Sequence, residues 1–312
     1  MPANSGLSPN VVQTALDKVF MAEFDYPRMP GVAAAADPVV FQQDSNDNAA
    51  VIVEQYQGVG YFGQRAEQQN VPEATSRVGN QQTHSVLNFS KGINISKNFF
   101  DDEQHSVVQK IVKDFASRAR LSQDQYAFDR YNLGFTTVTA NDGVALFSNA
   151  HVRLDAGAED NLETAALTPA ALETLFNTLI TQLTQDGTLG GHEPAFLLVP
   201  PALFKEATEI TQSEQAAQTA DNELNYYSKV YPGLQVKMSP FLSAGVAGNG
   251  SDTAYFLGGR NHSMYRWVRQ PIETALVDWR TQGNNNYIYK AEYREVVAPI
   301  AYDGLAASNG TT

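Results

Sequence analysis

Gly58, Gly60 and Gly63, in the stretch QGVGYFG, are the residues whose spacing first suggests chemistry. The pattern G-x-G-x-x-G behind an apolar run, here AVIVEQY, is the one that cradles a dinucleotide pyrophosphate. Its glycines let the backbone turn tightly, and a helix beginning at the third glycine aims its positive end at the phosphates. That chemistry also needs an acidic residue roughly 20 positions further on. After Gly63 the chain reads QRAEQQNVPEATSRVG, with no apolar stripe and with Pro72 in the way, and Thr83-His84 stand where the carboxylate belongs. A nucleotide-dependent enzyme built on Gly58–Gly63 is therefore the weaker reading. The stronger one is mechanical: glycines let a strand twist, bend and pass close to a neighbouring backbone.

Other reactive groupings are equally incomplete. The five histidines, at 84, 105, 151, 192 and 262, have neither i, i+4 pairing nor HExxH spacing, so no zinc site is expected. His151 reads as a packed or hydrogen-bonded side chain, not a base. DSNDN (44–48) matches the first half of a calcium loop, but Ala49 and Gln55 occupy the glycine and bidentate-glutamate positions, which leaves a polar turn. Asp155, Glu159 and Asp160 read as a solvated acidic run. No nucleophile elbow or P-loop is present, and the expectation is a non-enzyme with no cofactor and no metal.

Composition narrows the classes further. The chain has 312 residues, 43% of them hydrophobic, enough for one large or two ordinary domains with a substantial core. No apolar stretch approaches the roughly 18 residues that cross a bilayer, and the N-terminus has no signal-peptide pattern, so no membrane partner is expected. With no cysteine, disulfides and thiolate metal sites are excluded. A net charge of −13 argues against a protein that grips nucleic acid with its whole surface, because phosphate binding needs an excess of lysine and arginine.

The elements that would position these residues form a mixed α and β chain. Ser8 and Pro9 open an amphipathic helix over 8–20, with Val11, Val12, Leu16, Val19 and Phe20 at helical spacing. A proline-broken segment comes next and reads as an arm, not core. The runs AAVIVEQYQG and HSVLNFSKGINISK read as strands of a long hairpin, and the 22 polar residues between them form its projecting outer part. The best helix spans about Asp102 to Leu121, capped by Asp101 and Asp102, with Val108, Ile111, Val112 and Phe115 as its core stripe. NDGVALFSNAH gives a tight turn and a short strand. A compact α/β unit begins near Leu167, with Thr168-Pro169 opening a helix on Leu172, Leu175, Phe176, Leu179, Ile180 and Leu183. AFLLVPP, GLQVKMSPFL, TAYFLGG and SMYRWVRQ are its strands and ALFKEATEIT its second helix. PIETALVDWR and NYIYKAEYREVVAPI close the chain, the latter with Tyr287, Tyr289 and Tyr293 on one face, before a small polar tail over 306–312.

This order of elements resembles the major capsid protein of tailed double-stranded DNA phages, the Hong Kong 97-type fold, over nearly the whole chain. INISKNFFDDEQHSVVQKIVKDFASRA is similar to the entry and body of that family's spine helix. DGVALFSNAH, NLETAALTPAALETL and AFLLVPPALFKEA are similar to the lead-in, first helix and central strand of its axial lobe, and VDWRTQGNNNYIYKAEYREVVAPIAYDG to its closing strands. The resemblance implies an α+β fold with an N-terminal arm (1–49), an extended hairpin loop (50–97), a peripheral domain with the spine helix (98–160), an axial domain (161–268), and closing peripheral strands with a C-terminal tail (269–312). It implies a head-shell subunit forming pentamers and hexamers of an icosahedral head around double-stranded DNA, assembled in the bacterial cytoplasm and ending in the virion. Scaffold, portal and decoration proteins would be its partners, and packaged DNA would be contacted weakly. The shell of an encapsulin-like bacterial nanocompartment, built on the same fold, is the alternative.

A polar hairpin tip gains little in a monomer and finds partners in a shell. Gly58, Gly60, Tyr61, Phe62, Arg65 and Arg77 are accordingly expected at an intersubunit contact. Some members of the family weld neighbouring subunits with a lysine–asparagine isopeptide bond from this loop. From Glu54 to Ser90 this chain has no lysine, only Arg65 and Arg77, whose guanidinium groups stay protonated and are poor nucleophiles. Cohesion is expected to be non-covalent.

Overall fold

The computed structural model describes residues 9–71, 73–102, 106–214, 224–246, 248–278 and 285–311. In chain order these comprise helix α1 (Pro9–Phe24), strands β1 (Gln42–Ser45), β2 (Ala50–Tyr56), β3 (Val78–Ser85) and β4 (Leu87–Ser96), and helices α2 (Lys97–Asp102) and α3 (Ser106–Asn132). Short strands β5 (His151–Val152), β6 (Ala158–Glu159) and β7 (Leu162–Glu163) lead to α4 (Pro169–Thr181), β8 (Pro194–Val199), α5 (Phe204–Gln212), α6 (Tyr226–Val230) and β9 (Gln235–Met238). The chain closes with β10 (Tyr255–Gly259), β11 (Met264–Val277), β12 (Asn286–Pro299) and β13 (Leu305–Ser308).

Two sheets organise the body. One has the order β1-β11-β12-β4, and its inner face packs on α1 and α3. Val12, Leu16 and Phe20 of α1 meet Val108, Val112 and Phe115 of α3 over Tyr289 and Ala291 of β12, with the Phe20 ring 5.7 Å from Phe115. The other has the order β7-β13-β10-β8-β9 and carries α4 and α5 on an apolar face built from Leu197, Val199, Tyr255, Leu257 and Ala306. The Thr168 hydroxyl accepts the Ala171 N–H at 3.1 Å and Pro169 takes the first turn of α4, so this helix starts where the local sequence says it should.

Several sequence expectations need correction. Ile111 is not core: it is 37% exposed, while Val108, Val112 and Phe115 are buried. The stripe of α3 faces α1, and Ile111 falls one position off it. Asp101 and Asp102 fall within the short α2, and the described part of the long helix begins at Ser106. That helix runs on to Asn132, about 40 Å in all, because Asp124, Ala127, Phe128 and Tyr131 continue a buried stripe beyond Leu121. The polar member of that stripe hid it: buried Asp124 accepts the Ala35 N–H and pairs with Arg28 at 2.6 Å. Ser8 and His105 lie outside the described residues.

The N-terminal segment is not a free arm. Ala33, Ala35, Val40 and Phe41 belong to the largest core cluster, and β1 joins the first sheet parallel to β11. SMYRWVRQ and PIETALV, expected as separate strands on either side of 268/269, are one strand. Pro271 cannot donate to the ladder, and the β11–β12 register slips on either side of Gln270 instead of ending. The expected polar tail is likewise structural: Leu305, Ala306, Ala307 and Ser308 are all buried, and β13 fits between β7 and β10 because its side chains are small.

A polar cluster sits near this last strand. His151 is fully buried, with Nδ1 2.7 Å from Asp142 Oδ2, Nε2 3.2 Å from the Leu146 carbonyl and its ring stacked on Tyr302. Asp155 and Glu159 are not free surface acids: both bind Arg153. Burial pushes the Asp303 carboxyl up to about 7, opposed by His151 and helped by Glu159 and Asp142, and its Oδ1 is enclosed without a hydrogen-bond partner among the described residues. The folded state thus holds a proton that the unfolded chain releases near pH 4, so this group withdraws stability as pH rises from about 4 to 7 and nothing more above that. His262, lowered to about 4 by its burial, acts in the opposite sense as pH falls below about 6.5, equally in any variant elsewhere. Asp303→Asn should therefore gain on the wild type by up to about 3 kcal/mol between pH 5 and pH 8. Parallel thermal melts at the two pH values check this, and a constant gap would refute it.

Candidate assembly surface

The segment singled out by its glycines is the outer half of a two-stranded ribbon. β2 and β3 pair antiparallel from Ala50–Ser85 to Tyr56–Val78, with a register slip between Glu54 and Tyr56, and residues 57–77 form the loop that joins them. β4, expected as the returning strand of the hairpin, pairs instead with β12 over ten residues, so the returning run splits at Val86 between ribbon and body. Alternation explains the split. Ile93 and Ile95 of β4 pack on the α1–α3 core, whereas VGNQQTHS has no apolar face to bury.

The ribbon lies on the body through buried Val53, which packs with Trp267, Val296 and Ala298, and through side-chain amides. Gln82 Nε2 donates to the Thr139 hydroxyl at 3.1 Å and to the Ala140 carbonyl. Buried Gln55 donates to Gln185 Oε1 at 2.9 Å, and Gly79 passes so close to Gln55 and Leu154 that a β-carbon there would collide with both.

The glycine pattern finds its anion within the chain. No helix begins at Gly63; residues 57–66 are irregular, which removes the dipole that a nucleotide site requires. Instead the Gly60 N–H donates to Asp186 Oδ2 at 2.7 Å, and a β-carbon on Gly58 would stand only 2.7 Å from the same oxygen. Gly60 adopts φ +71°, the left-handed conformation that glycine takes without strain. Asp186 also accepts the Thr184 and Thr188 hydroxyls, and these bonds, ahead of the backbone ones, hold its carboxyl far below the usual range. Tyr61 completes the fastening, its hydroxyl accepting the Leu189 N–H at 2.9 Å. Gly58, Gly60 and Tyr61, expected to meet a neighbouring subunit, are therefore engaged with the 184–189 turn of their own chain. Asp186-Gly187 is visible in sequence only as a helix-ending turn; nothing local marks a carboxylate 126 residues away as the partner of Gly60.

Beyond that fastening the surface changes character. Phe62 is fully exposed, and Arg65 and Arg77 point into solvent with it. Along the ribbon Ile52, Tyr56 and Val78 lie on the side away from the body, and Val59 and Val71 are exposed in the loop. A large apolar group with no cover, repeated along one projecting element, marks an interaction surface more often than a solvated one.

A helix-backed sheet on a long spine helix, a second α/β lobe and a projecting ribbon together define a shell protein of the Hong Kong 97-type, an α+β fold. The fold matches a capsid of Cyanophage P-SCSP1u with a TM-score of 0.57 at 9% identity, over 91% of this chain and 89% of that one. It matches Microbacterium phage Oxtober96 with a TM-score of 0.54 at 12% identity, over 91% and 94%. The virus-like particle of Pyrococcus furiosus gives 0.55 at 9% identity, over 95% and 98%. The comparison with curated proteins gives no match. Residues 80–308 match the family model described as phage capsid protein, and the chain belongs to that family. It is a major capsid protein, a self-assembling structural subunit of the virion head. The family match favours this over the nanocompartment shell and over a nucleotide enzyme built on Gly58–Gly63, where the Gly60 N–H is taken by Asp186.

Proposed function

We propose that this subunit builds the pentamers and hexamers of an icosahedral head that encloses double-stranded DNA, and that it assembles in the bacterial host cytoplasm with scaffold, portal and decoration proteins. The observation that carries the proposal is the ribbon: its outer side and loop present Phe62, Val71, Arg65 and Arg77 to solvent, while its strands and Gly60 are fastened to the body. That arrangement serves a neighbour, not the subunit's own core. The net charge of −13 supports a wall that contacts DNA weakly.

Replacing residues 62–77 with a short Gly-Ser turn tests the reading. The replacement spares β3 and the Asp186 fastening and removes little buried surface, so the thermal transition should stay within a few degrees of the wild type. Closed shells, scored by electron microscopy after expression with scaffold, should be lost. Normal particles from the shortened chain would overturn the assignment of this loop.

Cohesion between subunits is non-covalent in this proposal. Lys91 and Lys97 belong to β4 and α2 on the body, not to the loop. Particles boiled in denaturant should release a single band near 34.1 kDa. A ladder of multiples would overturn this part and point to Lys91 or Lys97.

A further inference from the structure

The sequence contains Asn-Gly twice, at Asn249-Gly250 and Asn309-Gly310. The pairing matters because glycine has no β-carbon to keep its backbone nitrogen away from the preceding side-chain amide. The structure sets the two copies in opposite conditions. Asn309-Gly310 is tied down: Asn309 Oδ1 accepts the Thr311 N–H at 3.2 Å and its hydroxyl at 2.9 Å, and the Gly310 N–H donates to Ser308 Oγ at 3.2 Å. The Asn309 backbone is held as well, its N–H by the Glu163 carbonyl and its carbonyl by the Thr253 hydroxyl.

Asn249-Gly250 stands in the loop between β9 and β10. The neck of that loop is laced: the Leu242 carbonyl accepts the Ser251 N–H at 2.7 Å, and Asp252 Oδ1 accepts the Ser243 hydroxyl and the Ala244 N–H. Asn249 itself is exposed, and among the described residues neither its side-chain amide nor the Gly250 N–H has a hydrogen-bond partner. Packing holds glycine at 250, because a β-carbon there would lie 2.4 Å from the Ser243 carbonyl oxygen. We infer that Asn249 is a self-modification site, at which the chain converts its own side-chain amide to a carboxylate. The Gly250 nitrogen gives up its proton to hydroxide and attacks Asn249 Cγ. The new C–N bond closes a succinimide ring, and the side-chain nitrogen leaves as ammonia, taking its third proton from water and so regenerating hydroxide. Water then opens the ring at either carbonyl, leaving aspartate or, with the backbone rerouted through the side chain, isoaspartate. Each event adds about one negative charge and about 1 Da close to Asp252, on a chain already at −13. The chemistry belongs to the subunit and stands apart from the assembly reading.

Peptide mass spectrometry tests it on the unaltered protein, since trypsin cleavage after Lys237, Arg260 and Arg294 puts the two pairs in separate peptides, 238–260 and 295–312. The native protein is incubated at mildly alkaline pH and then digested under mildly acidic conditions. Peptide 238–260 should gain about 1 Da and split into aspartate and isoaspartate forms. Its conversion should quicken as pH rises, because the Gly250 nitrogen must first lose its proton. Peptide 295–312 should convert about tenfold more slowly, because several hydrogen bonds must open first. In urea-unfolded protein the two should convert at similar rates. Isoelectric focusing of the aged subunit should show an added acidic band that Asn249→Gln, a change at an exposed side chain, abolishes. An unconverted 238–260 peptide from the native protein overturns the proposal, as does equal conversion of both peptides there. A tenfold gap that persists after unfolding would assign the difference to local sequence and overturn the structural argument.

Discussion

Phe115→Asp should leave the subunit insoluble. The Phe115 ring is 5% exposed and packs 5.7 Å from Phe20 and 6.1 Å from Tyr289, at the point where α1, α3 and β12 converge. Removing a buried phenylalanine costs about 3–5 kcal/mol, and placing a carboxylate in the same site adds several more unless it takes up a proton. Together these approach the whole stability of an ordinary domain, about 5–15 kcal/mol. Phe115→Leu, which keeps the site apolar, should remain soluble with a lowered melting temperature. The soluble fraction after expression and the melting curve of the leucine variant are the measurements. A soluble, assembling Phe115→Asp would mean that this face of the spine helix does not pack on α1 and β12.

The second large effect concerns a buried charge pair. Arg266 on β11 donates through Nε to Glu295 Oε2 of β12 at 2.8 Å, with a second bond from Nη2, and Glu295 is 1% exposed. Burial pushes the Glu295 carboxyl up and Arg266 draws it back, so the arginine is what keeps this acid tolerable inside. Arg266→Met should cost about 3–5 kcal/mol by leaving the carboxylate without its partner. Glu295→Leu in the same chain should recover most of that loss, since a buried pair is replaceable by well-packed apolar side chains. Denaturant melts of the two single variants and the double variant give the coupling, and simple additivity would show that the pair does not act as a unit.

Elements whose cause is local could be read from the chain before any coordinates. The stripe Leu172, Leu175, Phe176 and Leu179 repeats at helical spacing, Thr168-Pro169 states where that helix begins, and AFLLV is long enough only for a buried strand. The order of such elements, and not any catalytic motif, carried the resemblance to phage capsids. The spine helix was legible up to Leu121 and then lost, because Asp124 interrupts the apolar pattern while still facing inward. In the candidate assembly surface Phe62, Arg65 and Arg77 stand out in the sequence as residues without a reason to be in a monomer, whereas nothing there shows the intrachain bonds that Gly60 and Tyr61 make.

What the sequence determined by itself was therefore the set of helices and strands, the absence of disulfides, the acidic surface and the glycines' freedom to turn, all of which depend on neighbours within a few positions. The tertiary structure alone decided which elements share a sheet. Leu305–Ser308 became an inner strand, Val40 and Phe41 became core, the strand through Pro271 shifted register without ending, and Gly60 met Asp186. Each of these outcomes is a contact between segments far apart in sequence, chosen by the surface it buries or the polar group it satisfies. Such a choice leaves no mark on the residues immediately beside it.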